Sequence, residues 1–269
     1  MRLSPRSAVR ATRTSQGPAT VALRIDGTVV TADAWGPGAA AALDGVPALI
    51  GLNDDPSQFA PAHPLVRELA RRRRGLRLGR SGAVLEALVP AILEQKVTGL
   101  EAFRSFRKLV LVHGDAAPGP FGLRLQPAAA RLAALPYHAF HPLGIERRRA
   151  DTIRFAASRA ARLDELVALP GEEARRRLMS LPGIGPWTAA EVTARALGDP
   201  DAVGVGDFHL PNVVAWALAG EPRADDARML ELLEPYRGQR ARVIRLLESS
   251  GIGAPRYGPR MAPRSIAGI

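Results

Sequence analysis

The amino-acid sequence predicts a mostly α-helical protein that begins with a small α+β region. Three observations lead to this fold class. Apolar residues recur at helical spacing over most of the chain, strand-like alternation is confined to residues 20–35, and hydrophobic residues make up 46% of the 269 positions, enough for a sizeable core. No apolar run approaches the roughly 18–20 residues that a membrane span requires, so no spanning segment is expected.

The first 62 residues form the predicted α+β region. Residues 1–15 show no regular pattern and are expected to be loose. The next segment alternates apolar and polar residues on either side of the turn pair Asp26–Gly27, which is typical of a β-hairpin. Two strands alone are marginally stable in water, so this hairpin must belong to a larger sheet or pack against the rest of the chain. A short helix is expected within residues 37–50, followed by a linker-like stretch.

Helical spacing dominates the rest of the chain. In the clearest case Leu85, Leu88, Val89 and Ile92 lie at positions i, i+3, i+4 and i+7, the pattern of one buried helix face. The other predicted helices span Leu65–Arg74, Leu100–Val112, Arg147–Leu163, Gly171–Leu181, Pro186–Leu197, Phe208–Ala219 and Arg237–Glu248. The expected parts of the chain are an N-terminal α+β region over residues 1–62, an all-α body over 63–248 and a flexible basic tail over 249–269.

Charge is the first indication of function. Lysine and arginine total 37 against 26 aspartate and glutamate residues, so the net charge is +11. Only Lys96 and Lys108 are lysines, and the planar guanidinium of arginine suits phosphate oxygens. A basic protein of this size most often binds nucleic acid, so a polyanionic partner is expected. The absence of cysteine excludes disulfides, thiolate nucleophiles and cysteine-bound metal, and with five histidines no metal site is expected.

The most informative stretch is Leu-Pro-Gly-Ile-Gly-Pro-Trp-Thr-Ala at residues 181–189. Its two glycines let the backbone turn sharply and approach another molecule, Ile184 between them is expected to anchor the turn in the core, and Pro186 suits the first position of a new helix. The stretch predicts a helix–hairpin–helix whose second helix points its N-terminal amide groups at an anion such as a DNA phosphate. An ordinary turn between two helices is the alternative. The DNA-binding residues predicted here are Gly183, Ile184, Gly185 and Thr188.

This motif, followed by Asp207 in a glycine-containing segment, resembles the helix–hairpin–helix DNA glycosylase superfamily. Members place a catalytic aspartate after the helix that follows the hairpin, and Asp207 stands there, 20 residues after Trp187. Members that also cut the strand carry a lysine at the position of Trp187. Trp187 at this spacing and Ile-Leu-Glu-Gln at residues 92–95 resemble the AlkA-like subfamily of 3-methyladenine DNA glycosylases. The resemblance implies two helical subdomains with the site in their cleft, preceded here by a sheet domain shorter than the subfamily's.

Asp207 is the catalytic residue that the resemblance implies. A carboxylate close to the anomeric carbon of an extruded nucleotide stabilises the oxocarbenium-like charge that develops there. The alternative role is that of a helix N-cap, and one carboxylate can do both through different oxygens. An N-alkylated purine is positively charged and attracted by an aromatic face, for which Trp187 is the best candidate and Phe208 the second. The alternative for Trp187 is a core residue.

Five further site residues follow from the resemblance. Gln95 and Lys96 lie where the subfamily's chain enters the minor groove, and Lys96 takes the position of the wedge that fills the gap left by the extruded base. The alternative is that Lys96 only ends a helix and pairs with a phosphate or a neighbouring acid. Glu191 stands where close relatives can place an aromatic residue, which predicts a more polar base pocket. Tyr236 is predicted to border the pocket, and Arg237 to bind DNA.

The implied function is that of a monofunctional DNA N-glycosylase of base excision repair. It would release alkylated purines of the 3-methyladenine type after base flipping, without AP lyase activity. The alternatives are a non-catalytic DNA-binding protein and a glycosylase for hypoxanthine or another damaged base. The expected partner is double-stranded DNA with a damaged base, bound by a cytoplasmic, nucleoid-associated monomer with no membrane and no obligate protein partner. No cofactor is expected, apart from a monovalent cation that the resemblance places at the hairpin.

Overall fold

The computed structural model describes residues 1–255. They are mostly helical, with one small antiparallel sheet at the N-terminus, which confirms the predicted fold class. The strands are β1 (Arg2–Ser4), β2 (Ser7–Thr14), β3 (Gly17–Asp26) and β4 (Val29–Trp35). The α-helices are α1 (Ala39–Asp44), α2 (Val46–Leu49), α3 (Pro64–Arg72), α4 (Val84–Leu93), α5 (Gly99–His113), α6 (Ala129–Ala134), α7 (Tyr137–Phe140), α8 (Arg147–Ser158), α9 (Ala160–Asp164), α10 (Gly171–Met179), α11 (Pro186–Ala196), α12 (Leu210–Ala219), α13 (Asp226–Leu233) and α14 (Arg240–Ser250).

The sheet is a meander in which each strand pairs with the next, in the order β1-β2-β3-β4. The predicted hairpin is formed by β3 and β4, with Asp26 opposite Val29 and Gly27 in the turn at φ +59°. The hairpin belongs to a larger sheet, as its marginal stability requires. Helix α1 packs against β3 and β4, and this covers part of the sheet.

The prediction that residues 1–15 are loose is wrong. Strand β2 pairs with β3 along its whole length, and β1 pairs with β2. These strands lack the apolar alternation by which a strand is recognised in a sequence. They are held instead by backbone hydrogen bonds and, in β2, by contacts to a carboxylate. The Glu86 carboxylate of α4 accepts hydrogen bonds from the Thr12 hydroxyl and the Arg13 N–H, and it pairs with the Arg10 guanidinium at 2.9 Å.

Two helices differ from their predicted form. In α4 the expected face is buried at Leu88 and Ile92, but most other positions are buried too, so the helix is enclosed on nearly all sides. The predicted helix over 147–163 is two helices, α8 and α9, which are separated at Arg159 with φ −111° and ψ 18°. Periodicity could not detect this break, because the apolar spacing continues through it.

The described chain divides into two compact units. One consists of residues 1–49 and 81–167 and contains the sheet, and the other consists of 50–80 and 168–255. The division runs through the predicted all-α body, and it assigns α3 to the same unit as α10–α14. Residues 256–269 of the predicted tail lie outside the described part of the chain. No helix within residues 1–255 combines the length and apolar character needed to cross a bilayer.

The second unit has its own hydrophobic core. Its buried apolar side chains include Val66 and Leu69 of α3, Met229 of α13, and Val243 and Leu247 of α14. A buried ion pair adds to this core.

In that pair the Arg242 guanidinium donates to both oxygens of Asp54, at 2.9 and 2.6 Å. Burial acts to raise the pKa of the Asp54 carboxyl, but hydrogen bonds from Arg242 and from the Leu78 N–H together bring that pKa below its usual value. The carboxylate is therefore charged at neutral pH, and it fastens residues 50–62 to α14.

Candidate functional site

The predicted helix–hairpin–helix is formed by α10, residues 180–185 and α11 in the second unit. Gly183 has φ +82°, a backbone conformation that favours glycine. The Ile184 N–H donates to the Leu181 carbonyl at 3.1 Å, and the Ile184 side chain is buried, as predicted. Pro186 begins α11, as its missing N–H allows.

The N-terminus of α11 lies open beside Gly185. This residue is in extended backbone, and no side chain caps the helix there. A Cβ atom built on Gly185 would meet no heavy atom within 4 Å. The positive dipole end of α11 therefore has open space beside Gly185. Thr188 in the first turn of α11 is buried, at 2% exposure of the whole residue, and its assignment to DNA binding stays a prediction.

Asp207 lies half-buried just before α12, and both of its carboxylate oxygens are used. Oδ1 accepts hydrogen bonds from the His209 and Leu210 N–H groups at 2.7 and 2.8 Å, so it satisfies amide groups at the start of the helix from two residues before its N-cap, His209. Oδ2 accepts a hydrogen bond from the indole Nε1 of Trp187 at 3.0 Å. Only Oδ1 binds the amide groups at the start of α12, whereas Oδ2 binds Trp187 of α11. The two sets of hydrogen bonds give the carboxylate a defined orientation beside both helices.

Trp187 is half-buried in the first turn of α11, with its indole edge against the backbone of Gly204. A Cβ atom on Gly204 would lie 3.1 Å from the Trp187 Cδ1. A larger residue would require the indole to shift by a few tenths of an ångström. Sequence reasoning missed Gly204, although a glycine three residues before the predicted catalytic aspartate was a visible signal.

The loop of residues 203–207 brings Asp207 to this position. Gly206 has φ +93°, and its N–H donates to both carboxylate oxygens of Asp226, at 3.1 and 3.0 Å. Asp226 is the first residue of α13. It was also missed, because nothing in the local sequence indicates which carboxylate will reach a loop 20 residues away.

Glu191 lies close to the same site, whereas Phe208 turns its ring to solvent. The Glu191 carboxylate pairs with the Arg195 guanidinium at 2.6 Å, and its Oε1 is 3.9 Å from the position that a Cβ on Gly204 would take. Phe208 is 85% exposed, with its ring edge-on to that of His209 at 4.9 Å. Its assignment to the base pocket stays a prediction.

The other two predicted residues of this unit lie near α14. Tyr236 is 5% exposed within the hydrophobic core, and its hydroxyl accepts a hydrogen bond from the His63 N–H at 2.9 Å. Arg237 is exposed and donates two hydrogen bonds to Glu234, at 2.8 and 2.9 Å, which raise the pKa of its guanidinium. The structure thus gives Tyr236 a packing role, and its place at the pocket border stays a prediction.

Gln95 and Lys96 belong to the first unit, in the turn between α4 and α5. Lys96 is exposed with φ +55°, and within residues 1–255 no other residue except glycine has a positive φ. Such a conformation is unfavourable for a residue with a Cβ atom, and strain of this kind is concentrated at functional sites. Gln95 is half-buried.

Replacing Lys96 with glycine is expected to raise the free energy of unfolding by about 1 kcal/mol, because glycine adopts this conformation without the Cβ clash. Urea denaturation measures this. Lys108→Gly in the exposed face of α5 is the matched control, with an expected loss of about 1 kcal/mol from lower helix propensity. A loss of stability in Lys96→Gly would contradict the expectation. If Lys96 is also the wedge, the same variant binds and processes DNA less well despite being more stable.

Within residues 1–255 no group of three or more histidine, aspartate or glutamate side chains is arranged to hold a metal ion.

Comparisons with known proteins complete the description of the site. No family model matches the chain. It is 30% identical over 168 residues to the probable bifunctional transcriptional activator/DNA repair enzyme AlkA of Mycobacterium tuberculosis, over 60% of this chain and 34% of that protein. It is 28% identical over 171 residues to DNA-3-methyladenine glycosylase 2 of Escherichia coli, over 63% of this chain and 59% of that protein. The chain thus matches about a third of the first relative's length and three fifths of the second's.

Solved structures share the fold. The 3-methyladenine DNA glycosylase of Archaeoglobus fulgidus superposes with a TM-score of 0.74 at 23% identity, over 91% of this chain and 87% of that one. The 8-oxoguanine glycosylase/lyase of Clostridium acetobutylicum, solved with double-stranded DNA, superposes with a TM-score of 0.69 at 15% identity, over 90% and 89% of the two chains. At these identities the superpositions concern the fold, and the two proteins differ in the damaged base and in lyase activity that their names state.

Proposed function

We propose that this chain is an AlkA-like member of the helix–hairpin–helix DNA glycosylase superfamily and that it hydrolyses the N-glycosidic bond of alkylated purines in double-stranded DNA. The observation that carries the proposal is the Asp207 carboxylate, which three hydrogen bonds orient beside Trp187 at the hairpin. A binding protein would not need a carboxylate held in this way next to a phosphate site.

The hairpin binds the DNA backbone. Backbone amide groups around Gly183 and Gly185 bind a phosphate without reading sequence, and the net charge of +11 adds a general attraction to the duplex. A monovalent cation between hairpin carbonyls and a phosphate is part of the proposal, and no other cofactor is invoked. The damaged nucleotide must leave the helical stack, and Lys96 is the proposed wedge behind it.

The chemistry is assigned to Asp207. As the bond to the base breaks, positive charge develops on the sugar, and the nearby carboxylate stabilises it and orients the attacking water. An N-alkylated purine needs little acid assistance, because it departs as a neutral base. The indole face of Trp187 attracts the cationic purine, and Glu191 makes the pocket more polar. Phe208 is proposed as a second aromatic face for the base and Arg237 as a contact to the DNA, and both side chains are exposed.

Strand cleavage through a Schiff base is not part of the proposal. Trp187 occupies the position at which bifunctional members carry the reactive lysine, and neither of the chain's two lysines, Lys96 and Lys108, stands at that position. The product would be an abasic site in an intact strand, formed in the cytoplasm on nucleoid DNA.

A panel of duplexes that each carry one lesion tests the proposal. We expect base release from a 3-methyladenine or 7-methylguanine duplex, seen as strand breaks only after heat or alkali. Breaks before that treatment, or covalent trapping by borohydride, would contradict the monofunctional assignment. If only hypoxanthine or an oxidised base is released, that base is the substrate and the assignment of alkylated purines is wrong. If the protein binds every duplex but releases no base, it is a non-catalytic DNA-binding protein.

A further inference from the structure

Asp226, at the start of α13, holds the backbone of the loop that carries Asp207. We propose that Asp226 is a positioning residue for the catalytic carboxylate, acting through the Gly206 N–H. This inference rests on the proposed function. No motif in the sequence indicates it, and it arises only from the geometry of the loop.

The hydrogen bonds of the loop show why this contact matters. The loop's other backbone bonds are local turns, from the Val205 N–H to the Val203 carbonyl at 2.9 Å and from the Asp207 N–H to the Gly204 carbonyl at 3.2 Å. The bond to Asp226 comes instead from a separate helix, and it engages the residue directly before Asp207. It therefore fixes the backbone of the loop relative to the body of the unit.

The two ends of Asp207 are held in different ways. Its carboxylate is oriented by Trp187 and by the first amide groups of α12. Its backbone follows Gly206, which has a φ of +93°. Because glycine adopts many backbone conformations, the loop can move once the Gly206 N–H no longer binds Asp226. A displacement of a fraction of an ångström at the carboxylate weakens charge stabilisation in the transition state, even when the DNA still binds.

The neighbouring Asp225 provides a matched control. Its Oδ1 caps α13 by accepting a hydrogen bond from the Arg228 N–H at 2.9 Å. Both acids lie at the N-terminus of the same helix, so both favour the helix through its dipole. Only Asp226 reaches the loop of Asp207. A stability effect is therefore common to both residues, whereas an effect on the loop is expected from Asp226 alone.

The experiment compares Asp226→Ala, Asp226→Asn and Asp225→Ala in the full-length protein. Under single-turnover conditions, Asp226→Ala is expected to release the base from methylated DNA about tenfold more slowly with unchanged DNA affinity. Asp226→Asn keeps an acceptor oxygen and should restore the rate to near that of the wild type. Asp225→Ala should lower the melting temperature and leave the rate unchanged. In an Asp207→Asn background, Asp226→Ala should have no further effect, because the two changes act on one group.

Hydrogen exchange of the backbone amides in residues 203–209 gives a readout that does not depend on activity. Faster exchange is expected in Asp226→Ala and wild-type exchange in Asp225→Ala. Equal exchange in both variants, or a rate loss that Asp226→Asn fails to restore, would overturn the positioning role. If the wild-type protein releases no base but Asp226→Ala still loosens the loop, the proposed function fails while the link from α13 to the loop stands.

Discussion

Replacing Asp207 with asparagine is expected to slow base release from methylated DNA by about 10²–10³-fold while DNA affinity changes little. The asparagine Oδ1 can still accept from the His209 and Leu210 N–H groups and cap α12. The neutral amide cannot stabilise a developing positive charge, and its NH₂ group cannot accept from the Trp187 indole. Single-turnover base release and fluorescence anisotropy of a labelled duplex measure the two effects.

Two comparisons separate catalysis from capping in this experiment. Asp207→Ala removes the cap as well, so it should lose about 1 kcal/mol of stability that Asp207→Asn retains. Asp225→Asn makes the same change of charge at an acid that faces α13, and it should leave base release unchanged. If Asp207→Asn releases the base at the wild-type rate, Asp207 is a helix cap and the catalytic assignment is wrong.

Replacing Gly185 with aspartate is expected to weaken DNA binding by about 10–100-fold, with stability unchanged or increased by up to about 1 kcal/mol. Gly185 is in extended backbone with open space at its Cβ position, so the substitution fits. The new carboxylate would cap α11 and satisfy the amide groups that are proposed to bind a phosphate, and its charge would repel DNA. Anisotropy at two salt concentrations and thermal unfolding check both halves of this expectation.

Gly185→Asn is the neutral control for that variant. Asparagine also caps helices well, but it adds no charge, so its loss of DNA affinity should be clearly smaller. Wild-type affinity in Gly185→Asp would show that the hairpin does not contact the duplex, and the basic surface would then have to bind DNA elsewhere.

Much of the site could be predicted because its key residues are close in sequence to a recognisable turn. Gly183, with its positive φ, and Pro186, at the first position of α11, each suit the local backbone, so the hairpin can be recognised from the sequence alone. The hydrogen bond from Trp187 to Asp207 joins residues that the motif spacing already connects. In contrast, Asp226 meets Gly206 only because α13 packs against α12, and such tertiary contacts leave no local pattern.

The same distinction explains why the first strands were not predicted. Strand β2 was missed since its residues are mostly small, polar or basic, and its pairing with β3 depends on backbone hydrogen bonds. Tyr236 at the pocket border stays a prediction, and the structure adds that its hydroxyl accepts a hydrogen bond from the His63 N–H inside the core. The sequence pattern identifies an amphipathic residue but does not specify which partner its polar end will find.

The most direct test of the central claim is a crystal structure of the protein with a duplex that carries a cationic pyrrolidine in place of the damaged nucleotide's sugar. This group imitates the charged transition state and should bind more tightly than an ordinary abasic site. We predict that the pyrrolidine is extruded from the duplex and that its nitrogen lies about 3 Å from an oxygen of Asp207, with the hairpin at a nearby phosphate. A complex in which Asp207 faces away from the pyrrolidine, or in which the hairpin touches no DNA, would contradict the account.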